Sequence, residues 1–290
     1  MKGAQLESKP TSAYFGAVAA LATMHDKLPL IAPAMTETLG MTVETSHVDT
    51  DRLGTFTGDV ARPGNAWDTA VAKARLGMAA TGSRLGLASE GTFGPSPALP
   101  FITAATELVV FVDDDRAIVV GEAVIDYTVV SVAADVRPGD VIDDLLVRAR
   151  FGEHCLIVRP TIPSLNPIFK GIHDRRVLDR AIRDCAAASP DGHAHIETDL
   201  RAHHCPTRRP VIAAAAQRLA ARLAVCCPTC ATPGWGIVRV ERGVPCRHCQ
   251  RMVLIPSADV LGCPACRTER TEPRPGSTFA DPGECEWCNP

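Results

Sequence analysis

The sequence predicts an α/β domain followed by a small cysteine-rich region, on three observations. Between residues 14 and 224, short apolar runs of strand length alternate with longer runs whose apolar residues recur at helical spacing. Nine of the twelve cysteines lie between Cys226 and Cys288. The 290 residues are 46% hydrophobic and 22% charged, which is typical of a globular protein with one large domain or two smaller ones. We expect a disordered tail over 1–13, the α/β domain over 14–224 and the cysteine-rich region over 225–290.

The composition also excludes several classes of protein. No stretch reaches the roughly 18 uninterrupted apolar residues of a membrane span. The net charge of -3 argues against a chain-wide basic coat for nucleic acid, and the aromatic content of 4% argues against binding by many exposed rings. The apolar run at 14–22 is weak as a signal peptide and better as a first buried strand. We therefore expect a cytoplasmic protein without a membrane association.

The predicted domain begins with alternating strands and helices and ends with a hairpin, a strand and a helix. Strand length, alternation of period two and helical spacing predict strands at 17–22, 41–47 and 85–88 and helices at 29–39 and 65–81. A hairpin is expected over 107–120, a strand at 127–132 that continues the sheet, and an alanine-rich helix at 210–223. These elements together predict a mixed twisted sheet flanked by helices.

The cysteine spacing indicates two metal sites. Four C-x-x-C pairs supply eight thiolates, the number that two tetrahedral zinc ions with four cysteine ligands each require. We call each pair a knuckle; the four knuckles are Cys227 and Cys230, Cys246 and Cys249, Cys263 and Cys266, and Cys285 and Cys288. An all-thiolate site has no open coordination position. The sequence therefore predicts a double zinc ribbon in which the zinc is structural.

The four knuckles can pair in two ways. Gaps of 15 residues between Cys230 and Cys246 and of 18 residues between Cys266 and Cys285 each fit a β-hairpin. We therefore expect the first knuckle to pair with the second and the third with the fourth; an interleaved arrangement is the alternative. Seven arginines balance seven acidic residues over 225–290, so a nucleic-acid partner is possible but not favoured.

A polar loop after the first predicted strand carries Thr23, His25 and Lys27. At a helix N-terminus such a loop suits a phosphate, because backbone amides and the helix dipole add to the charge of the lysine. A solvated turn is the alternative interpretation.

A second candidate loop follows the strand at 85–88 and contains Ser89 and Glu90, with Gly91 and Gly94 after them. A carboxylate after a buried strand, beside glycines and hydroxyls, is suited to hold a divalent metal or to activate water. As an alternative, Glu90 pairs with Arg84 and has no chemical role.

Two further segments carry candidate residues. The segment 197–209 contains Arg201, His203 and Arg208, which predict an anion-binding site. A zinc site through three consecutive residues, 203–205, is disfavoured, because adjacent side chains point apart on most backbones. Asp49 and Asp51, with the nearby Asp59, either hold a metal or are acidic residues on a surface turn.

Taken together, these residues resemble an uncharacterised bacterial family of unknown function, over nearly the whole chain. Its landmarks here are Ala22-Thr23 with His25, Asp49-Thr50-Asp51, Gly54-Thr55-Phe56, Ala88-Ser89-Glu90-Gly91, Asp199 with Arg201-Ala202-His203, and Cys285 with Cys288-Asn289-Pro290.

Residues 17–223 are also similar, in the order of their landmarks, to the inosine triphosphate pyrophosphatase family and its Maf-like relatives. The phosphate loop of those enzymes, Thr/Ser-x-Asn-x-x-Lys, corresponds to Thr23, His25 and Lys27, with His25 replacing the Asn and Lys27 one residue early. Lys73-Ala74 stands where the family has a helical Lys-Ala, and Glu90 where it has an acid at the end of a strand. Before the final helix, Arg201 lies in the corresponding region and Arg208 matches the arginine of a Ser-His-Arg segment.

This resemblance implies a nucleoside triphosphate pyrophosphatase-like fold and hydrolysis of a phosphoanhydride in a nucleotide or a related phosphorylated compound. Lys27 and Arg208 would hold the phosphate chain, and Lys73 would belong to the catalytic set. Glu90, with Asp49, Asp51 or Asp59, would bind a magnesium ion that neutralises the leaving group, and Glu90 would orient the attacking water.

Two other classes of function remain. One is a non-catalytic nucleotide-binding or sensing protein whose zinc ribbons contact a partner, and a homodimer is possible in either case. The other is a nucleic-acid-associated protein that uses the ribbons with Arg218, Arg222 and Arg239.

Overall fold

The described residues form three β-sheets, two of which carry helices. A computed structural model describes residues 12–54, 64–96, 101–162, 165–276 and 278–290, except for the side chain of Asp51. The strands are β1 Val18–Ala22, β2 Thr42–Ser46, β3 Leu85–Pro95, β4 Thr103–Asp113, β5 Ile118–Asp126, β6 Ala133–Val136, β7 Leu156–Pro160, β8 Phe169–Ile172, β9 Ala194–Thr198, β10 Gly236–Pro245, β11 Met252–Gly262 and β12 Glu269–Pro273. The helices are α1 Leu28–Leu39, α2 Ala66–Thr81, α3 Asp143–Arg148, α4 Arg175–Ala188 and α5 Arg208–Leu223.

The first sheet has five strands in the order β2-β1-β3-β4-β5. β1 is parallel to β2 and β3, whereas β3, β4 and β5 are antiparallel to one another. α1 and α5 pack on one face, where Ile31, Leu87 and Leu219 belong to one apolar core. α2 packs on the other face through Ala70 and Met78. A mixed sheet flanked by helices is therefore present, as the sequence predicts.

α2 approaches the carboxyl ends of β1 and β2 closely, and this approach positions the site described below. The helix begins at Asn65, whose side chain accepts a hydrogen bond from the backbone N–H of Asp68 (2.9 Å). Within it, a Cβ at Gly77 would lie 2.6 Å from Ser46 Oγ and 3.2 Å from the Cβ of Ala22. Only glycine permits this contact, which brings Lys73, one turn earlier, over the end of β1.

Two expectations about the first sheet are wrong. β3 continues to Pro95 instead of ending near residue 88, so Ser89 and Glu90 lie within a strand and not in a loop after it. Glycine, proline and glutamate are poor strand formers by themselves, but pairing with β4 extends as far as Pro95 opposite Thr103. Residues 127–132 do not continue the sheet, because the chain turns where Thr128 bonds to Asp126 and leaves for the second sheet.

The second sheet was not predicted. It is antiparallel, with the order β6-β9-β7-β8. α3 and α4 contribute Leu145, Leu178 and Ile182 to its core, which is separate from the cores of the first sheet. No helix among the described residues is long and apolar enough to cross a membrane.

The cysteine-rich region contains the third sheet, with β11 between β10 and β12 and both pairings antiparallel. It is attached to the first sheet by Arg222 of α5. The guanidinium donates to the carbonyl oxygen of Gly234 (3.1 Å) and to the carboxylate of Glu122 on β5 (2.8 Å). Arg222 therefore links the start of this region to the edge strand β5 of the first sheet.

Candidate functional site

A cavity lies at the carboxyl ends of β1 and β3 and brings together residues that are far apart along the chain. β1 ends at Ala22, opposite Ala88, whereas β3 continues; no other described strand pairs with that edge of β3 beyond Ala88. The enclosed part of this space is small, with a volume of about 20 Å³, and the empty space is about 400 Å³ when the open mouth is included. We call it the strand-end cavity; its lining residues are Ala22, Thr23, Met24, His25, Lys27, Thr50, Gly54, Lys73, Ser89 and Glu90.

Lys27 places a buried ammonium in the strand-end cavity. It precedes the first turn of α1, and only 7% of it is exposed. Its Nζ donates a hydrogen bond to the carbonyl oxygen of Ser89 (3.3 Å), and no carboxylate of the described residues forms an ion pair with it. Burial, and then the charge of Arg208, lowers the pKa of Lys27 to about 8. The ammonium is therefore still charged at neutral pH, and its described hydrogen-bond partner is a neutral carbonyl group.

Lys73 and Glu90 form an ion pair on the opposite side of the cavity. Both are buried, and Lys73 Nζ contacts Glu90 Oε1. Side chains alternate between the two faces of a strand, so Ala88 and Glu90 point to the face that α2 covers, where Lys73 lies. Leu87 and Ser89 point to the face of α1. The end of β1 exposes both faces of β3 at once, and this is why both lysines reach the same cavity.

The hydroxyl of Ser89 is buried in the cavity. The residue is 4% exposed, and its Oγ has no hydrogen-bond partner among the described residues. Buried hydroxyls are nearly always hydrogen-bonded, so an unpaired one in a polar cavity points to a ligand or to water. Beside it, burial, and then the charge of Lys27, lowers the pKa of His25 to about 3. The His25 imidazole is consequently neutral and adds no charge to the cavity.

The predicted residues Arg201 and His203 lie beside the cavity and do not line it. The His203 ring lies 5.1 Å from the His25 ring, measured between centroids. Arg201 donates through Nε (2.9 Å) and Nη2 (2.6 Å) to the two oxygens of the buried Asp199. Burial opposes ionisation of Asp199, but Arg201 outweighs it and holds the pKa of this carboxyl below its usual value. The guanidinium of Arg201 thus already has a carboxylate partner.

Arg208 is the largest fully buried side chain among the described residues, and it does not line the cavity either. Its Nε and Nη2 donate to the two carboxylate oxygens of Glu107 (2.6 and 2.9 Å), and Nη1 donates to the carbonyl of Leu200. Glu107 was not predicted, because a single glutamate in an apolar strand carries no signal for its partner 101 residues away. Arg208 affects the cavity by its charge, since it lowers the pKa of Lys27.

The acidic residues after β2 have different positions. Asp49 is exposed and lines a neighbouring cavity instead of the strand-end cavity. The side chain of Asp51 and the whole of Asp59 lie outside the described residues. Thr50 and Met24 do line the strand-end cavity. Their positions after β2 and β1 were the signal in the sequence that could have predicted this.

The eight predicted cysteine ligands form two groups of four. One group is Cys227, Cys230, Cys263 and Cys266, and the other is Cys246, Cys249, Cys285 and Cys288. Each group joins the first knuckle to the third, or the second to the fourth. The sequential pairing is therefore wrong, and the interleaved alternative is the one that the structure contains.

The geometry of the sheet explains the interleaved pairing. β10 carries the chain about 33 Å from the first knuckle to the second, at roughly 3.3 Å per residue. β11 is antiparallel to β10 and returns, so Gly262 lies opposite Gly236, beside the first knuckle. β12 then reverses the chain again, toward the second knuckle. β10 thus spans the gap between the first and second knuckles, and β11 spans the gap between the second and third. The two groups therefore lie at opposite ends of the sheet.

The sulfur atoms in each group are spaced for a metal ion. Distances between sulfurs of different knuckles are 3.7 and 3.6 Å in the first group and 3.8 and 3.7 Å in the second. A tetrahedral ion with bonds of about 2.3 Å to sulfur separates its ligands by roughly 3.8 Å, whereas a disulfide needs about 2.05 Å. The two groups therefore could hold metal ions and are compatible with zinc.

The arginines of the nucleic-acid hypothesis are engaged within the molecule. Arg218 donates to the carbonyl of Ala123 (3.2 Å), and Arg239 pairs with Glu269 (2.6 Å). Arg222 is the side chain that holds the cysteine-rich region. These three residues do not present a stripe of unpaired cations.

The fold and these clusters define a mixed α/β protein with a cysteine-rich, potentially metal-binding C-terminal region. The chain belongs to a family described as a domain of unknown function (DUF6671), whose match covers residues 73–290. The prediction of an uncharacterised family is thereby confirmed, and the matched part includes Lys73, Glu90 and all eight cysteines of the knuckles. The comparison with curated proteins and the comparison with solved structures each found no match.

Proposed function

We propose that the strand-end cavity binds the phosphate groups of a small phosphorylated molecule and hydrolyses a phosphoanhydride bond in it. One observation carries the proposal: the buried ammonium of Lys27 has no carboxylate partner among the described residues, and the unpaired hydroxyl of Ser89 lies in the same cavity. Burying an unpaired charge is costly, and an anionic ligand offsets that cost. The start of α1 adds the positive end of a helix dipole.

The charge of the lining residues favours an anion. Lys27 and Lys73 contribute two positive charges and Glu90 one negative charge, while His25 is neutral. The described lining thus has a net charge of about +1 in a partly desolvated space, where electrostatic interactions are stronger than in water. Thr23 and Ser89 add hydroxyl donors.

In the proposed reaction, a water oxygen attacks a phosphorus atom and the bridging P–O bond breaks. The proton of the water passes to the carboxylate of Glu90, and the bridging oxygen leaves with its electron pair. Glu90 is the carboxylate that orients this water, and Lys73 holds Glu90 in place through their ion pair. Lys27 stabilises the negative charge that develops on the phosphate oxygens.

A magnesium ion fits this proposal only if the protein supplies some of its ligands and the substrate and water supply the others. No group of three His, Cys, Asp or Glu ligands surrounds Glu90 within the described residues. Magnesium usually binds through one or two carboxylates, waters and substrate phosphates, so Glu90 would hold it together with the substrate. When bound, the ion would neutralise the leaving group.

Zinc is our proposal for the two cysteine groups, on the tetrahedral spacing of their sulfurs. All four ligands in each group are thiolates, which leaves no position for a substrate. The role of the zinc is to stabilise the third sheet, whose exposed strand β12 and many turns bury little apolar surface.

The second candidate function is a protein that binds such a ligand without turnover. The ion pair between Lys73 and Glu90 favours it, because a carboxylate occupied by an ammonium is a weaker base. In this case a nucleotide or related ligand would be sensed, and the zinc ribbons would contact a partner.

A two-part experiment tests the proposal. Purified protein with magnesium is incubated with a panel of nucleotides and other phosphoanhydrides, and released phosphate and diphosphate are measured; binding of inorganic pyrophosphate is measured by calorimetry. We expect turnover that E90Q lowers at least a hundredfold while pyrophosphate still binds, and E44Q, an exposed matched control on β2, leaves both unchanged. Binding without turnover supports the sensing protein, and absence of both overturns the proposal.

A further inference from the structure

A cavity beside the second sheet lies between α4 and the loop that joins β6 to α3. Its enclosed part has a volume of about 310 Å³, and the empty space is about 680 Å³ when the open mouth is included. We call it the α4 cavity. It shares no described lining residue with the strand-end cavity, whose enclosed part is only about 20 Å³. The α4 cavity is therefore a separate space, and it has room for an organic molecule.

The loop side of the α4 cavity has the pattern of a type II turn. In Arg137-Pro138-Gly139-Asp140, the backbone N–H of Asp140 donates to the carbonyl oxygen of Arg137 (3.1 Å), and Gly139 has a φ of 95°. Proline at the second position and a glycine with positive φ at the third favour this turn. The carboxylate of Asp140 accepts the backbone N–H of Arg137 (2.7 Å). The sequence thus fixes the backbone that carries the side chain of Arg137.

α4 forms the other side of the cavity and gives it an apolar surface. The residues at 175, 179, 182 and 183 line it and recur at the spacing of one helix face. Ile182 is buried, as is Ile142 just before α3, and Pro138 lies beside them in the lining. Apolar walls with a few polar groups are typical of cavities that bind an organic molecule.

The two carboxylates in the described lining are already engaged. Asp140 accepts the backbone N–H of the turn. Asp179 accepts a hydrogen bond from Nε of Arg175 (3.0 Å), whose Nη1 donates to Asp143 outside the cavity (3.1 Å). Arg175 is therefore the one lining arginine that is paired with carboxylates in the described part of the chain.

The other two arginines keep donors for a ligand. Arg137 donates through Nε to Nε2 of His193 (3.1 Å). Arginine is always protonated, so Nε2 is the acceptor and the proton of this ring lies on Nδ1, which donates to the carbonyl oxygen of Asp191 (3.0 Å). His193 thus orients Arg137, whose Nη nitrogens have no hydrogen bond to a described residue. The guanidinium of Arg183 forms no ion pair or hydrogen bond within the described residues either.

The charge of the α4 cavity favours an anion. Three arginines and two aspartates give its described lining a net charge of about +1. The planar guanidinium group matches the oxygens of carboxylate and phosphate groups, which it binds in pairs of hydrogen bonds.

From this arrangement we infer that the α4 cavity binds a small organic anion, in which one carboxylate or phosphate group is held by Arg137 and Arg183 and an apolar body packs on Ile142 and Ile182. This site is additional to the proposed hydrolysis in the strand-end cavity and does not depend on it.

Three probes with the same apolar body test the inference by calorimetry on the full chain: hexanoate, hexyl phosphate and the neutral hexanamide. We expect at least one of the two anions to bind about tenfold or more tightly than hexanamide, because its charge is paired with the guanidinium groups. The tighter of the two anions identifies the acidic group as a carboxylate or a phosphate.

Variants locate the binding. R183M and R137M, which keep an aliphatic side chain and remove the guanidinium, should each weaken the anion severalfold. R180M is the matched control, since Arg180 is an exposed arginine of α4 that does not line the cavity. K27M, which removes the ammonium of the strand-end cavity, should leave the affinity unchanged.

Four results would overturn the inference: no binding of either anion, equal affinity for hexanamide, loss of binding in K27M, or equal weakening by R180M and R183M. Loss in K27M would place the anion in the strand-end cavity. Equal weakening by R180M would assign the affinity to the general positive charge of α4, as expected for a polyanionic partner. Arg183 is exposed, so R183M is expected to fold, and circular dichroism checks this for each variant.

Discussion

The strand-end cavity and the cysteine-rich region differ in how completely their polar groups are paired. In the cysteine-rich region every knuckle sulfur belongs to a closed group of four, spaced for one ion. In the cavity, Lys27 has no counter-ion among the described residues and the Ser89 hydroxyl has no partner. The difference separates two kinds of site, because a closed group of ligands stabilises a fold, whereas unpaired buried groups cost stability unless a ligand or water satisfies them.

The largest effect is expected from loss of metal at the two cysteine groups. It tests which knuckles pair with each other. Structural zinc contributes on the order of 10 kcal/mol to folding, so removal of the metal should unfold the third sheet. In the interleaved pairing, the double variant C227S/C263S should retain one metal ion per chain, and C227S/C246S should retain none. Elemental analysis after gel filtration measures this, with C226S, outside both groups, as the control.

The reverse result, one ion with C227S/C246S and none with C227S/C263S, would mean sequential pairing. Circular dichroism of both variants shows whether the first two sheets remain folded, so the metal content is compared between proteins of equal integrity.

The second effect concerns the stability cost of Lys27. The decrease of its pKa from 10.5 to about 8 corresponds to about 3 kcal/mol of destabilisation at neutral pH. K27M should therefore raise the free energy of unfolding, measured with urea, while binding of pyrophosphate is lost. K170M, at an exposed lysine on β8, should change neither quantity. A less stable K27M protein would show that the lysine has a structural role.

The third effect is a pH dependence of anion binding. Lys27 loses its proton as the pH rises through about 8, so the cavity becomes less positive above that pH. Sulfate does not titrate in this range, and its affinity should fall by up to tenfold per pH unit between pH 8 and 10, as measured by calorimetry. K27R should show a flat profile, because arginine stays charged. A decline of the same slope in K27R would assign the effect to another group.

The smallest effect is expected at the attachment of the two regions. R222A removes the hydrogen bonds to Gly234 and Glu122, and partly buried bonds to charged groups contribute about 1.5–3 kcal/mol. We expect faster hydrogen exchange in β10 and a modest loss of stability. R239A, which breaks the half-exposed pair with Glu269, should cost less than about 1 kcal/mol. Equal effects of the two substitutions would mean that Arg222 does not hold the region in place.

Local patterns predicted most of the elements of the first sheet, because apolar periodicity is a property of neighbouring residues. The helix at 65–81 and the strand at 17–22 are close to α2 and β1. The second sheet was missed because its strands β6 and β8 have only four residues each. The extension of β3 depends on pairing with β4, and no local pattern contains that information.

The sequence by itself determined which residues are candidates for chemistry: two lysines, a glutamate and eight cysteines in four knuckles, since ligand spacing and residue type are local. Tertiary structure decided which of them meet. Lys73 reaches Glu90 because strand alternation points Glu90 toward α2. Arg208 does not line the strand-end cavity, because it forms a buried ion pair with Glu107 in the core. The third knuckle joins the first because an antiparallel strand returns to its starting point. Each of these contacts is set by the path of the backbone between distant residues, which residue spacing does not specify.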